Sequence, residues 1–235
     1  MSSENNYRWE KNYPVMSRGI ESGDIQEGNV LEFLGFHTKE EFLDWIRGKK
    51  TLDLGAGYGH VRKELLIGEG IDAPEVFSLE PQLKGKVFRE KSFEKIAKSF
   101  GLNSTTDEEK IRELERKYRE GAVAADWLKL PFADKSFERV FSCYGFPYWE
   151  GERTNMRRVM AELYRVTTDD VQIRLSPVSA GTVHSTPENP GSGMVFEEFL
   201  SVVGGEGFEI GYIALPGFMT DMYCLNLRKD RRYLV

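Results

Sequence analysis

Short apolar runs alternate with amphipathic stretches along this chain. Thr51–Leu54, Val76–Leu79, Ala122–Ala125, Arg139–Cys143 and Val171–Leu175 are four- or five-residue runs of largely apolar positions, and they read as buried strands. Helical spacing fills several of the intervals. Lys39–Arg47 carries Phe42, Trp45 and Ile46 on one face, with Thr38 placed as the N-cap and Glu41 completing a capping box. Asn155–Tyr164 and Val195–Val203 are two further helices. Phe208–Leu215 and Met222–Leu227 are the last two strands, and no helix separates them, which predicts an antiparallel pair. Strands alternating with helices indicate an α/β fold: a doubly wound, mostly parallel seven-stranded sheet with an antiparallel last strand and helices on both faces.

The interval from the second strand to the third is longer than one crossover helix requires. It holds two helical patterns, about Val87–Phe100 with Phe93, Ile96, Ala97 and Phe100, and about Asp107–Arg119 with Ile111, Leu114 and Tyr118. Residues 82–120 therefore read as a helical insertion. Ser176–Gly193 is rich in Pro, Gly, Ser and Thr and reads as a loop. The first twenty residues include Tyr7, Trp9, Tyr13, Pro14 and Met16, too aromatic a set for a typical disordered tail. Asn29–Phe33 can form a helical turn. Residues 1–48 are expected to be an N-terminal helical lid, and 49–235 the main domain.

Composition narrows the class. A length of 235 residues suits one α/β domain with a modest elaboration. No apolar run approaches a membrane span, and Met-Ser-Ser-Glu-Asn-Asn is not the start of a signal peptide, so a cytoplasmic protein is expected. A net charge of −6 argues against a general nucleic-acid surface. The basic cluster Arg228–Arg232 reads as a solvated tail. Cys143 and Cys224 sit far apart in apolar segments, as buried core thiols do. With three histidines and no Cys/His cluster of ligand spacing, no metal site is expected.

Residues 51–59 carry the chemistry: Thr-Leu-Asp-Leu-Gly-Ala-Gly-Tyr-Gly. A strand runs through Asp53 into Gly55, Gly57 and Gly59, then towards a helix at about Val61–Leu66. Glycines let such a loop turn tightly and approach a ligand closely, and the helix start offers free N–H groups. The dinucleotide fingerprint G-x-G-x-x-G needs a third glycine at position 60, which is His60, so that pattern fails. In a doubly wound sheet ligands bind outside the carboxyl ends of the strands. After the second strand comes Glu80, a carboxylate able to accept hydrogen bonds from two ribose hydroxyls, or else a solvated strand-end acid. After the third come Asp126 and Trp127, then Leu130-Pro131-Phe132-Ala133-Asp134-Lys135-Ser136-Phe137-Glu138-Arg139-Val140.

The D-x-G-x-G-x-G pattern resembles motif I of the class I S-adenosylmethionine (SAM)-dependent methyltransferases. The stretch from Asp126 to Val140 is similar to that family's D-x-x-x-L-P-F-x-D-x-S-F-D-x-V, with Glu138 where the family often has Asp. The resemblance covers roughly residues 50–227 and implies a SAM-dependent methyltransferase. It places Asp53, Gly55, Ala56, Gly57 and Gly59 around the methionine part of the cofactor, Glu80 on the ribose, and Asp126 and Trp127 at the adenine, with Ser142, towards the end of the fourth strand, as a further cofactor-binding residue. Trp127 can also be a core residue. Arg18 is either a partner for the methionine carboxylate or a surface arginine.

In relatives the loop after the fourth strand faces the methyl group and the acceptor. Here it reads Ser142-Cys143-Tyr144-Gly145-Phe146-Pro147-Tyr148-Trp149-Glu150. Its likeness to the N-P-P-Y motif lacks one proline and the right spacing, and is treated as chance. Tyr144 and Tyr148 are candidates to orient an acceptor. His184, in the loop after the fifth strand, is the candidate general base, since imidazole titrates near neutral pH; a lone loop histidine is otherwise simply solvated. His60 follows the glycine loop and reads as a helix N-terminal residue near the cofactor, while His37 precedes a helix cap and carries no functional signal. The expected activity is methyl transfer to a small molecule by a monomer or homodimer. The alternatives are an RNA or protein methyltransferase, and a SAM-binding protein of the same fold without turnover.

Overall fold

The computed structural model describes residues 33–56, 75–80, 109, 110, 112, 116, 121–143, 145–147, 153–179, 194–215 and 222–233. Its elements are α1 (Lys39–Ile46), β1 (Thr51–Leu54), β2 (Val76–Leu79), β3 (Ala122–Val123), β4 (Phe137–Cys143), α2 (Arg153–Val166), β5 (Thr167–Ser179), α3 (Phe196–Gly205), β6 (Phe208–Ala214) and β7 (Met222–Lys229). One seven-stranded sheet runs β3-β2-β1-β4-β5-β7-β6. β1 to β5 are parallel neighbours, and β7 lies antiparallel to both β5 and β6. The chain thus works outward from β1 to β3, then restarts beside β1 with β4, and the point of reversal lies between β1 and β4. In open α/β sheets that crevice is where ligands sit.

Burial follows from this layering. All four residues of β1 are buried, as expected for a central parallel strand covered on both faces. On one face α2 and α3 bring Met156, Val159, Met160, Leu163, Phe199, Val202 and Val203 onto Leu52, Leu54, Val140, Ile173 and Leu225. On the other, Leu34, Phe36 and the α1 residues Phe42, Leu43 and Ile46 cover Val76 and Phe141, with Phe42 meeting Phe141 edge-on at 5.7 Å. Leu43, and not only Phe42 and Ile46, belongs to the buried face of α1; Trp45 is half-buried and donates from Nε1 to Gln172. Thr38 caps α1 by accepting from the Glu41 amide, while the Glu41 carboxylate reaches back to the His37 amide, one residue beyond the ordinary capping box.

The segment before α1 is fastened across β5. The Arg174 guanidinium lies 3.9 Å from the Phe36 ring centroid and donates to the Leu34 carbonyl, and the Ser176 hydroxyl donates to the Phe33 carbonyl. Gly35 makes the turn at φ +74°, where a Cβ would stand 2.8 Å from Ile213.

Three strands, β4, β5 and β7, are longer than the sequence pattern indicates. β5 starts directly after α2 because the polar Thr168-Asp169-Asp170 stretch is taken up by a register shift opposite Phe137–Arg139, with Asp169 bound to Lys135 at 2.8 Å. It runs past Leu175 to Ser179 because a second shift, between Leu175 and Val178, accommodates Pro177, which has no N–H for a ladder. The Arg228–Arg232 cluster is not a solvated tail throughout. Lys229 ends β7 with its side chain buried, donates to the Thr167 carbonyl at 2.6 Å and lies 4.3 Å from the Tyr164 ring, while buried Asp230 holds Arg232. Residues 109, 110, 112 and 116 are helical and exposed; the rest of the expected insertion lies outside the described residues.

Candidate active site at the switch point

β1 ends in a turn pinned on both flanks. Gly55 adopts φ +78°, a conformation that disfavours any side chain, and the amides of Gly55 and Ala56 both donate to the Leu79 carbonyl at the end of β2, at 2.9 and 3.0 Å. Towards β4, backbone pairing stops at Asp53–Phe141. Beyond it the Ser142 hydroxyl takes over: it donates to the Leu54 carbonyl at 2.6 Å and accepts from the Phe146 amide at 2.8 Å. Ser142 is completely buried, so its hydroxyl serves the junction of the two loops.

The β4 loop then crosses over the β1 loop at Gly145. A Cβ built on Gly145 would lie 2.7 Å from the Leu54 carbonyl and 3.1 Å from the Gly55 Cα; one built on Gly55 would lie 3.0 Å from the Gly145 Cα and 3.3 Å from the Trp127 ring. Gly145 was not singled out by its sequence context, although a glycine two residues beyond a strand end, at a switch point, is a usable signal. Trp127 is nearly buried, with its ring edge-on to Phe146 at 6.1 Å. Its indole supports the two loops from below.

Around this junction stand carboxylates. Asp53 and Glu80 are both buried, the latter with its amide bonded to the Val123 carbonyl at 3.0 Å. Asp126 is exposed and closes an Asx turn by accepting from the Leu128 amide at 3.0 Å. Cys143 is half-buried beside the Asp53 charge, and both burial and that charge push its thiol well above the ordinary range. Gly57, Gly59, His60, Tyr144, Tyr148 and His184 lie outside the described residues, as do residues 1–32 with Arg18.

The stretch after Asp126 is held by α2. Arg165 donates to the carbonyls of Leu130 and Phe132 and to the Asp134 carboxylate, and Glu162 accepts from the Leu130 amide and from Arg165 itself. Hydrogen bonding to Arg165 depresses the Glu162 carboxyl below the ordinary carboxylate range. Glu138, the departure from the usual Asp, bonds Lys49 Nζ at 2.7 Å. Phe132 and Phe137 pack edge-on at 4.7 Å as core residues. Among the described residues, no group of three or more His, Cys, Asp or Glu side chains could hold a metal ion, and no helix is long and apolar enough to cross a membrane.

The residues present suit a small cationic nucleoside. The β1 turn has no Cβ at its tightest point, Asp53 lies within β1, and Glu80 and Asp126 follow β2 and β3, so carboxylates able to accept hydrogen bonds from hydroxyl or amino groups stand at this end of the sheet. Comparison with known proteins agrees. Residues 52–174, more than half of the chain, match the family model of a methyltransferase domain. No curated protein matches the sequence significantly. Among solved structures, the chain is similar to a SAM-dependent methyltransferase from Clostridium acetobutylicum (TM-score 0.59, 8% identity, 94% of this chain and 98% of that one). It is also similar to a TehB-like SAM-dependent methyltransferase from Corynebacterium glutamicum (TM-score 0.55, 15% identity, 94% and 97%) and to a SAM-dependent methyltransferase from Aquifex aeolicus (TM-score 0.52, 16% identity, 89% and 95%). These likenesses are of fold. Taken with the family match, they place the chain in the class I methyltransferases. It belongs to the methyltransferase-domain family, whose cofactor is SAM.

Proposed function

We propose that this chain transfers a methyl group from SAM to a small-molecule acceptor by direct in-line displacement. When bound, SAM supplies a methyl group already activated by its sulfonium. The protein's task is then to orient and to exclude water, and orientation alone can be worth effective molarities on the order of 10⁵ M. The observation that carries this reading is the backbone contact of the β1 and β4 loops at Gly55 and Gly145, which joins the cofactor loop to the loop expected to face the acceptor.

In this reading Asp53, Gly55, Ala56, Gly57 and Gly59 surround the methionine end. Glu80 accepts from the ribose hydroxyls. Asp126 accepts from the adenine amino group, and Trp127 supports the pocket floor. Tyr144 and Tyr148 orient the acceptor, and His184 removes its proton where one must leave. Residues 1–48 form a lid segment before the domain of residues 49–235, with α1 lying flat on the sheet as its fixed end. The net charge of −6 favours a small acceptor over a nucleic acid, and a cytoplasmic monomer or homodimer is the working assembly.

The test is a transfer screen. The protein is incubated with SAM labelled at the methyl group and separate pools of metabolites, RNA and protein. Label in the metabolite pool supports the proposal; label confined to RNA or protein overturns the small-molecule part.

A further inference from the structure

We infer that Ser142 is a positioning residue, whose hydroxyl sets the shape of the cofactor loop by tying the ends of β1 and β4 together. The inference rests on the proposed role of the glycine loop in holding SAM. Three observations carry it.

First, the hydroxyl replaces a missing rung. Pairing between β1 and β4 ends at Asp53–Phe141, one residue short of Leu54 and Ser142. The Leu54 carbonyl is satisfied by the Ser142 side chain at 2.6 Å instead of by a backbone amide. The strands can therefore part at their ends, as a ligand crevice requires, without leaving a buried carbonyl unpaired.

Second, the same oxygen accepts from the Phe146 amide at 2.8 Å. One buried hydroxyl thus uses its donor and one acceptor on two different loops. The Phe146 ring is anchored in turn, edge-on to Trp127 at 6.1 Å and to Phe199 of α3 at 6.3 Å.

Third, the bonds close a contact that tolerates no slack. With Ser142 holding the loop, Gly145 lies on Gly55 so closely that a Cβ on Gly145 would stand 2.7 Å from Ser142 Oγ and 3.1 Å from the Gly55 Cα. Without the hydroxyl, the Leu54 carbonyl and the Phe146 amide lose partners in a dry site, and both loops must move to regain them. The Gly55 turn would move with them. The effect on the ligand is thus indirect, because the buried hydroxyl itself faces the protein.

The experiment uses the full chain and S-adenosylhomocysteine as the probe. Calorimetric affinity and thermal melting are measured for the unmutated protein, Ser142→Ala and Ser142→Cys. Val202→Ala, in the core of α3, serves as a control for stability loss alone. Ser142→Cys keeps the side-chain volume but donates and accepts weakly, so it reports should Ser142→Ala not fold. The inference predicts that affinity falls at least about tenfold in the Ser142 variants, while Val202→Ala binds as the unmutated protein does well below its melting temperature. It also predicts faster amide exchange at Phe146 in the Ser142 variants. A folded Ser142 variant that binds within about twofold of the unmutated protein, or an affinity loss equalled by Val202→Ala, overturns it. If the unmutated protein itself fails to bind, the cofactor reading falls, and the inference with it.

Discussion

Gly55 and Gly145 meet backbone to backbone: the Cβ that either residue lacks would lie 3.0 to 3.1 Å from the Cα of the other. The two residues belong to loops that leave β1 and β4, the strands flanking the reversal of the sheet. Contact at that distance needs glycine on both sides.

Alanine at either position should therefore destabilise the fold and weaken cofactor binding. At Gly55 the φ of +78° adds a cost of about 1–2 kcal/mol for any L side chain. At Gly145 the obstacle is the Leu54 carbonyl, which cannot swing aside as a flexible side chain would; overpacking of this kind costs about 1–3 kcal/mol. Urea denaturation of Gly55→Ala and Gly145→Ala measures both. Unchanged midpoints would show that the loops are looser than the contact implies.

Arg165 and Glu162 predict a pH dependence. Glu162 has its folded-state carboxyl depressed, chiefly by its hydrogen bond from Arg165. A group lowered on folding contributes stability above its unfolded pKa, about 4.3, and that contribution disappears as pH falls through the folded value. The protein should lose stability below about pH 4.5, and Glu162→Gln should show a shallower loss in the same range. Both chains are followed by urea denaturation between pH 3 and 7. Parallel profiles would assign the acid loss to other carboxylates.

Arg174 fastens the segment before α1 to β5 by stacking on Phe36 and bonding the Leu34 carbonyl. Arg174→Met keeps the stem but removes both interactions, and should cost about 1–3 kcal/mol. Amide exchange across residues 33–37 should rise in the same variant. A stability loss without that local change would place the effect elsewhere.

The thiols should be inert in the native state. Burial pushes the Cys224 thiol up to about 12 and raises Cys143 as well, so the reactive thiolate is scarce at neutral pH. Titration with a disulfide reagent at pH 8 should give slow labelling of the folded protein and rapid labelling of two thiols in denaturant. Fast labelling when folded would contradict the burial.

Local pattern revealed much of this architecture. Thr51–Leu54 and Val76–Leu79 are strands with the bounds that their apolar runs indicate, because both faces of the sheet there are covered and the run length equals the buried length. The bounds of β5 were hidden because register shifts let polar residues and Pro177 remain in a strand. Asp53 lies within β1, Glu80 follows β2 and Asp126 follows β3; they stood out through the motif resemblance together with their places along the sheet, and their roles belong to the proposed function. The Ser142 hydroxyl bond to Leu54 spans 88 positions, and Arg165 reaches back some 31 to 35 positions to the Leu130–Asp134 stretch; such side-chain-to-backbone ties leave no periodic trace. Gly145 was missed for the same reason, since its need for a bare Cα arises from a loop distant in sequence.

The central claim is that the crevice between β1 and β4 holds SAM. Isothermal titration of the unmutated protein with S-adenosylhomocysteine tests it most directly. The account predicts saturable binding, one molecule per chain, with a Kd of about 1 μM or tighter, near −8 kcal/mol. Heats no larger than those of dilution, at concentrations up to about 1 mM, would contradict it.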